Sequence, residues 1–539
     1  MTGRGRLALV VGGAVALVVG SVSPWATFAG FPGKMSLGGF PGGARLFALL
    51  LAAAAVLGLV DIAGRRRALL AAGLGAVAVI GVNGVALVDQ GGGVGGVAWG
   101  AWLALAGAGL LVAAARALPA EPAAELRPRV PAVAEVAALC AGLLILLGTV
   151  VWALRINESS RFVSFLVFVA TVAVVAHHLG LFAWLSELSD RHRRTVVLAS
   201  AAVAVAFPFT QQGNAYWIRV FASIGVFAVA AIGLNVVVGL AGLLDLGYVA
   251  FFGVGAYVGA LLANASLTTV HVHVPFVLVI FLGGGIAAAF GLVIGAPTLR
   301  LRGDYLAIVT LGFGEIFRIT ANNWDGLTRG PNGISGVPDL HAAGVNFGEA
   351  HTVLGVSLPG FANYYFLELV LLAAAILVFT RLNDSRIGRA WVAIREDELA
   401  AAASGVDTIR LKLLAFAIGA FLAGCAGTVN AHVTTQVSPD SYTFLESILL
   451  VAAVVLGGMG TVPGALLGSA ALFVLPEKLR SFQDKRLLLF GAALILLMRF
   501  RPEGLVPSRR RQRELREEAP EGLPGLAGAT GAPPGSPVG

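Results

Sequence analysis

Charged residues are scarce in this chain of 539 residues, and their scarcity limits the kind of protein that it forms. Only 12% of the residues are charged, whereas soluble domains carry about 25%. Because a soluble fold must cover its core with polar surface, this composition excludes one large soluble domain. The chain is instead 58% hydrophobic with a mean hydropathy of +0.87, which indicates a protein that crosses the membrane many times.

Lysine is also rare, and this bears on nucleotide chemistry. The chain has four lysines, and its one Gly-Lys pair, Gly33–Lys34, is followed by Met35. The phosphate-binding loop G-x-x-x-x-G-K-[ST] is therefore absent, which excludes ATP hydrolysis by that route. We expect no cofactor on this chain, and ATP, if it drives a process here, to be used by a separate polypeptide.

Cysteine and other metal-ligating residues are too sparse to indicate a metal or catalytic centre. The two cysteines, Cys140 and Cys425, lie within apolar runs and are interpreted as small packing residues. Histidine pairs occur at His177–His178 and within His271–His273, but no third or fourth ligand accompanies either pair. We predict neither a metal site nor an enzyme.

Apolar runs and glycine are abundant. About sixteen apolar runs are separated by charged or turn residues, and many exceed the ~18 residues that span a bilayer. We predict an all-α polytopic membrane protein with about sixteen transmembrane or re-entrant helices, of which the run from Leu7 is an uncleaved first helix. The 71 glycines are typical of closely packed membrane helices.

The basic clusters predict the orientation of these helices. If the N-terminus is cytoplasmic and the runs alternate, Arg65–Arg67, Arg191–Arg194 and Arg509–Arg511 all fall on the cytoplasmic side, where basic loops are enriched. The polar island Arg381–Lys412, between two long apolar runs, falls on the same side. Both termini are therefore predicted to be cytoplasmic. We assign the net charge of +8 to topology and lipid headgroups rather than to nucleic acid.

The density of motifs divides the chain into three parts. Residues 1–190 form a predicted membrane domain of about six spans, in which no pattern points to a chemistry. Residues 195–506 hold every motif described below. Residues 507–539 mix charges and then become rich in Pro, Gly and Ala, which predicts a disordered cytoplasmic tail.

The run Gly233–Tyr257, GLNVVVGLAGLLDLGYVAFFGVGAY, has two interpretations. Its glycines either let helices pack closely, as at Gly255–Gly259, or mark a discontinuous helix whose half-helix ends meet a substrate carboxylate or amine. An acidic residue at membrane depth is costly, so we expect Asp245 to face a cavity, an aqueous edge or a partner. The candidate residues for a translocation path are Asn235, Gly239, Gly242, Asp245, Gly253 and Glu315.

Two features follow this run. Glu315 lies three residues before Arg318 on a predicted helix, where the two can form a neutralising structural pair or contribute to the path. The long segment Asn322–Asn363 is rich in Gly, Pro, Asn and Asp, which predicts ordered turns rather than a helix. It is either a passive loop or, because long loops are often functional, an external lid or docking surface.

The polar island contains the alanine-rich sequence REDELAAAASGVD, which favours a helix. Gly405 supplies a C-terminal stop, and Asp407 or Thr408 can cap the next helix. We predict a short cytoplasmic helix over Arg395–Gly405, then a glycine hinge and a membrane helix. This arrangement suits a docking surface that transmits a partner's movement, and an ordinary connector is the alternative.

Taken in order, these blocks resemble the permease subunits of branched-chain amino-acid ABC transporters, of the LivM type. The resemblance covers about Thr195–Val506. It rests on GLNVVVGLAGLLDLGYVAFFGVGAY, LRLRGDYLAIVTLGFGEIFRI, GPNGI, GRAWVAIREDELAAAASGVDTIRLKLLAFAIGAFLAGCAG and FRPEGLV.

The resemblance implies that the island, residues 381–410, is a coupling loop whose helix docks in a groove of a cytoplasmic ATPase. The family consensus Glu-Ala-Ala-x-x-x-Gly falls on Leu399, Ala400, Ala401 and Gly405, so that a leucine stands where the consensus has glutamate. The expected coupling residues are Arg395, Glu396, Asp397, Glu398, Leu399, Ala400, Ala401 and Gly405.

The resemblance further implies a multi-pass permease subunit of an ATP-driven importer in a bacterial cytoplasmic membrane. Its expected partners are a homologous permease, two cytoplasmic ATPases and an extracytoplasmic substrate-binding protein. The expected substrates are branched-chain or other aliphatic amino acids, with urea or short amides as the alternative. An alternative of another class is an ATP-independent secondary transporter or channel, and residues 1–190 are open to a sensory or assembly role.

Overall fold

The structure is a computed structural model. It describes residues 3–27, 43–60, 63–90, 93–119, 130–156, 159–211, 213–263, 274–298, 304–342, 344–353, 355–478, 491–492, 495, 499 and 504–506. The predictions for His271–His273 and for the tail 507–539 lie outside these residues. The chain forms two compact units, whose main segments are Met1–Ala204 and Val205–Gly522. The functional division into residues 1–190, 195–506 and 507–539 stays a prediction.

The first unit is built from helices that are apolar over most of their length. They are α1 (Gly3–Val22), α2 (Ala44–Ala52), α3 (Val56–Leu59), α4 (Arg65–Gln90), α5 (Trp99–Ala117), α6 (Ala132–Arg155), α7 (Ser159–His178), α8 (Leu181–Arg191) and α9 (Arg193–Thr210), which continues into the second unit. Buried side chains such as Phe47, Leu69 and Leu111 form its core. Several aliphatic side chains of α6, among them Leu144 and Ile145, are exposed, as expected of a lipid-facing surface.

Two local features of this unit refine the sequence analysis. The apolar run Phe162–Leu185, which the sequence predicts as one of the sixteen spans, does not form one helix, because Gly180 adopts φ +79° and separates α7 from α8. The basic residues at the end of α8 have a structural role: Glu135 on α6 binds Arg191 at 2.8 Å and His192 at 2.9 Å. The carboxylate of Glu135 is buried, so these contacts hold α6 against the turn between α8 and α9.

The second unit is also mainly helical, with short strands on one connection. Its helices are α10 (Ala215–Leu234), α11 (Val249–Leu262), α12 (Phe276–Thr298), α13 (Asp304–Asn323), α14 (Asp325–Thr328), α15 (Phe361–Asn383), α16 (Arg386–Glu396), α17 (Glu398–Ala403), α18 (Thr408–Thr434), α19 (Phe444–Gly457) and α20 (Val462–Lys478). Short 3-10 turns lie at Gly330–Asn332 and Pro439–Ser441. Helix α10 packs on α15, α18 and α20 in the middle of the unit.

Glycines allow α11 and α18 to approach closely. A Cβ at Gly255 would overlap the backbone of Gly424, and one at Gly427 would overlap the carbonyl of Phe252. At this contact the hydroxyl of Thr428 donates to the carbonyl of Gly255 over 3.0 Å. The packing interpretation of these glycines is therefore confirmed, since small residues at the crossing bring the two backbones together.

The run that begins at Gly233 is a broken helix. Helix α10 ends at Leu234, a π-helical turn follows at Asn235–Leu240, and regular helix resumes only at Val249. The apolar run Leu243–Ala263, another of the sixteen spans that the sequence predicts, is thus helical only over Val249–Leu262. The discontinuity predicted from the glycines is confirmed, and π-helical turns are frequent at functional sites.

The segment between α13 and α15 is ordered by small hairpins. Its strands are β1 (Ile334–Ser335), β2 (His341–Ala342), β3 (Val345–Asn346), β4 (His351–Val353) and β5 (Val356–Leu358), with β6 (Gln436–Val437) after α18. Strands β2 and β3 pair, as do β4 and β5, while β1 pairs with β6 in antiparallel register. The prediction of ordered turns is confirmed, with the four-residue α14 as the one α-helix between α13 and β1.

Ten helices of the described residues are long and apolar enough to cross a membrane, and three shorter apolar helices accompany them. The protein is therefore an all-α polytopic membrane protein, with strands of only two or three residues. The exact count of sixteen spans stays a prediction.

Candidate functional site

The polar island folds as two helices rather than one. Helix α16 ends at Glu396 because Asp397 takes an extended conformation, with φ −152° and ψ 105°. Its carboxylate then caps α17, accepting hydrogen bonds from the amides of Leu399 at 2.9 Å and Ala400 at 3.0 Å. The prediction of one continuous helix over Arg395–Gly405 is wrong, because capping by aspartate outweighs the helix propensity of the flanking residues.

The end of α17 follows the sequence prediction. Gly405 has φ +85° and donates to the carbonyl of Ala402 at 3.0 Å, while Val406 donates to that of Ala401 at 3.1 Å. These two bonds form a Schellman motif, which glycine favours because it has no Cβ. Asp407 caps α18 through the amide of Arg410 at 3.1 Å, so the predicted stop and the predicted cap are both confirmed.

Two buried contacts fasten the helix pair to the first turns of α18. The indole of Trp391 on α16 is fully buried and donates to the carbonyl of Leu411 over 2.7 Å. The ammonium of Lys412, whose side chain is 5% exposed, binds the carboxylate of Glu398 on α17 over 2.5 Å. Helices α16 and α17 are therefore each tied to α18, which is one of the helices long and apolar enough to cross a membrane.

The outer face of α17 is small and apolar. Ala401 is buried against the protein, while Ala400, Ala402 and Ala403 are exposed. Leu399, at the position of the consensus glutamate, is 63% exposed. Exposed apolar side chains on an otherwise polar segment are typical of a surface that another protein covers.

Arg395 joins the helix pair to the broken helix. Its guanidinium Nη1 donates to the carbonyl of Gly239 over 2.7 Å, and its aliphatic stem lies so close to Gly242 that a Cβ there would collide with it. The structure therefore brings together one predicted coupling residue and two predicted path residues, at the point where the helix is interrupted.

Asn235 extends this connection to the turn between α19 and α20. Its side chain is buried, accepts from the amide of Gly460 at 2.8 Å and donates to the carbonyl of Thr461 at 3.0 Å. The chain returns to the same turn near its end, where Leu505 and Val506 donate to carbonyls at the end of α19. Asn235 thus satisfies the amide of Gly460 and the carbonyl of Thr461 in this turn. The last two residues of the FRPEGLV motif bind beside the same turn.

Asp245 organises the start of α11. It is 1% exposed, and its Oδ1 accepts from the amide of Gly247 over 2.9 Å. The hydroxyls of Thr310 and Ser447 accept from the amides of Leu246 and Val249, at 3.0 and 3.1 Å. The second carboxylate oxygen of Asp245 has no hydrogen-bond partner among the described residues, so the carboxylate is only partly used by the fold.

The two remaining path candidates have local explanations. Gly253 packs against the rings of Phe317 and Tyr442, which leave no room for a Cβ. Glu315 binds Arg318 over 2.9 Å on α13, with both side chains about one-third exposed. The predicted ion pair is confirmed, while a role of either residue in a path stays a prediction.

Sequence analysis missed two buried polar residues. Glu368 on α15 is 1% exposed, and neither carboxylate oxygen has a partner among the described residues. It faces a cavity of about 150 Å³ beside Phe221 and Leu466. His432, near the end of α18, is also buried. The sequence does signal Glu368, as the one acidic residue within the apolar run of α15, but the cavity arises only from tertiary packing.

The capping of α17 leads to a first prediction. Asp397→Ala removes both side-chain bonds to the helix start and is expected to destabilise α17 by about 1 kcal/mol. Amide hydrogen exchange of residues 399–403 should accelerate about fivefold relative to wild type. Asp397→Asn is the matched control, since an asparagine oxygen caps a helix about as well. Equal exchange in wild type and Asp397→Ala would show that the cap does not hold α17.

Together these observations define a class: a polytopic helical membrane protein in which an exposed helix pair is joined by buried contacts to a discontinuous helix, as in a membrane permease. The family profile described as "Branched-chain amino acid transport system / permease component" matches residues 216–498. The chain belongs to this family. It is a transport subunit rather than an enzyme.

Individual relatives agree with the family. The chain is 40% identical over 344 residues, 61% of this chain and 79% of the relative, to the "High-affinity branched-chain amino acid transport system permease protein LivM" of Salmonella typhimurium and to that of Escherichia coli K12. It is 28% identical over 286 residues, 52% of this chain and 91% of the relative, to LivH of Escherichia coli K12. No solved structure matches the chain.

Proposed function

We propose that this chain is one of two permease subunits of an ATP-driven importer for branched-chain amino acids. The observation that carries the proposal is the contact of Arg395 with Gly239, because it joins the family's coupling loop to the broken helix. The relatives named for high-affinity branched-chain amino acid transport support the substrate class. Their LivH counterpart supports pairing with a second, homologous permease.

In this proposal the exposed face of α17 docks on a cytoplasmic ATPase. Closure of the two ATPases on ATP moves α17 and α16 as a pair, because both are fastened to α18 through Trp391 and Lys412. The same movement reaches the π-helical turn through Arg395 and the turn between α19 and α20 through Asn235. The translocation path then alternates between outward-facing and inward-facing states, with the discontinuous helix as its moving part.

The same proposal includes the location and the topology of the chain in the membrane. The chain lies in a bacterial cytoplasmic membrane with about sixteen transmembrane or re-entrant helices and both termini in the cytoplasm. The segment between α13 and α15 then lies outside, where its hairpins face an extracytoplasmic binding protein. This chain binds no cofactor of its own, and ATP is used by the partner subunits.

Competition for uptake tests the substrate. In cells that carry the complete transporter as their only route for leucine, excess unlabelled isoleucine or valine should reduce the uptake of labelled leucine by more than tenfold. Urea and acetamide at the same concentration should have no effect. Strong competition by urea or acetamide, or failure of the cognate binding protein to bind any branched-chain amino acid, would favour the urea and short-amide alternative.

One observation favours an ion-coupled transporter as a second candidate. Glu368 is a buried carboxylate without a partner among the described residues, and ion and proton coupling depend on carboxylates of this kind at membrane depth. The coupling loop has no purpose in such a protein, so the ATP-driven importer remains our proposal.

A further inference from the structure

A cavity of about 380 Å³ lies where α11 ends, α12 begins and α18 ends. This volume is within the range of sites for small molecules. Its lining is mixed: Leu262 and Phe276 are apolar, whereas Asp339, His341 and His432 carry polar side chains. The cavity is separate from the coupling loop and from the cavity beside the buried carboxylate of α15.

His432 lines this cavity and carries an acceptor that the described residues leave unused. The ring is 4% exposed, and its Nδ1 lies 3.0 Å from the carbonyl oxygen of Pro338. Because a carbonyl oxygen only accepts, Nδ1 carries the proton, and in the neutral ring Nε2 is then an acceptor. Nε2 has no partner among the described residues. Leaving a buried acceptor unpaired is unfavourable, and a ligand with a donor would remove that cost.

Asp339 adds a carboxylate to the lining of this cavity. Its Oδ1 accepts from the hydroxyl of Tyr364 over 3.0 Å, and that hydroxyl accepts from the amide of Leu340 over 3.2 Å. This chain of bonds fixes the carboxylate. His341 is held in turn, since its Nδ1 donates to the carbonyl of Asp339 over 3.1 Å.

The polar groups of the cavity therefore select for a donor with positive charge. The described residues that line it supply a carboxylate and an imidazole acceptor, and none of them is lysine or arginine. A ligand carboxylate would find no cationic partner there, whereas an ammonium group could donate to both acceptors. The apolar residues of the lining, which include Leu262 and Phe276, suit a short branched aliphatic chain, and Phe276 packs edge-on against His432 at 5.4 Å.

We propose that this cavity is a docking subsite for the transported amino acid, which binds its ammonium group at His432 Nε2 and Asp339 and its branched side chain against Leu262 and Phe276. The inference rests on the proposed function and deepens it. On the topology proposed above, the cavity opens outside the membrane and receives the amino acid before it enters the path. The cavity recognises the amino group of the ligand, and the carboxylate of the ligand contributes little to binding.

Direct binding to the purified transporter tests this subsite. The complex of both permease subunits and both ATPases, without the binding protein, is titrated calorimetrically with three probes. The probes are leucine, 3-methylbutylamine, which lacks the carboxylate, and 4-methylpentanoate, which lacks the amine. Leucine and 3-methylbutylamine are expected to bind with similar affinity, and 4-methylpentanoate at least tenfold more weakly. Binding of 4-methylpentanoate equal to that of leucine, or no binding of any probe, would overturn the proposal.

Two substitutions of one residue separate recognition from folding. His432→Asn keeps a donor near Pro338 but loses the acceptor at the position of Nε2, and it should weaken binding of 3-methylbutylamine about tenfold or more. His432→Gln places an amide oxygen near the position of Nε2 and should restore part of that affinity. Asp339→Asn keeps an oxygen that accepts from the hydroxyl of Tyr364 but loses the negative charge. It should lower the affinity for 3-methylbutylamine by a similar factor.

The outcomes also separate the subsite from the importer. If the wild-type complex shows ATP-driven leucine uptake but His432→Asn binds 3-methylbutylamine as wild type does, the subsite is wrong and the proposed function stands. If the wild-type complex takes up no branched-chain amino acid at all, the proposed function itself is wrong.

Discussion

Arginine in place of Ala403 is expected to abolish ATP-driven uptake, because it places a long charged side chain on the face of α17 that we propose docks on the ATPase. Ala403 is exposed, so the substitution costs the permease itself little stability. An unpaired charge buried in a docked interface costs several kcal/mol, enough to lower association more than a hundredfold. Co-purification of the ATPase subunits with the tagged permease measures the effect, together with leucine uptake.

The control for this substitution is Ala403→Ser, which leaves a small, uncharged side chain at the same exposed position. It should leave both co-purification and uptake near wild type. If Ala403→Arg retains the ATPases and transports normally, α17 is an ordinary connector, and the docking surface must be sought elsewhere.

Methionine in place of Arg395 is expected to uncouple the ATPases from transport without releasing them. The substitution keeps an aliphatic stem near Gly242 but leaves the carbonyl of Gly239 without its donor at 2.7 Å. The lost bond, to a charged donor, is worth about 1.5–3 kcal/mol, so leucine uptake should fall at least tenfold. The ATPases should still co-purify, since the outer face of α17 is unchanged.

Arg395→Lys tests the geometry of this contact. Lysine keeps the charge but not the planar guanidinium, and we expect intermediate uptake. The informative measurement is the ratio of ATP hydrolysed to leucine transported in reconstituted vesicles, which should rise in Arg395→Met. An unchanged ratio would mean that force reaches the membrane helices through Trp391 and Lys412 alone.

Local sequence signals predicted much of this structure correctly. The glycine stop at Gly405 and the cap at Asp407 depend on neighbouring residues, and the structure has both. The interruption after Gly233 was signalled by glycines and an aspartate in an apolar run. The break at Asp397 also has a local signal, because aspartate before Glu-Leu-Ala-Ala is a strong N-cap, whereas the helix propensity of the alanines predicts one continuous helix.

Contacts between distant residues could not be predicted in this way. Arg395 and Gly239 are separated by 156 residues, and Asn235 and Gly460 by 225, so only the packed helices bring them together. Glu368 and His432 are single polar residues whose importance lies in the cavities beside them. The ends of α17 and the start of α18 are therefore set by neighbouring residues. The contact between the coupling loop and the broken helix depends on the tertiary fold.

The measurement that tests the central claim most directly is leucine accumulation in vesicles that contain this chain, its companion permease and both ATPases. With binding protein outside and ATP inside, the account predicts accumulation above the external concentration. Accumulation should cease when ATP is replaced by a non-hydrolysable analogue or when the ATPases are omitted. Accumulation by the permease subunits alone, driven by a proton or sodium gradient, would contradict the account and identify an ion-coupled transporter.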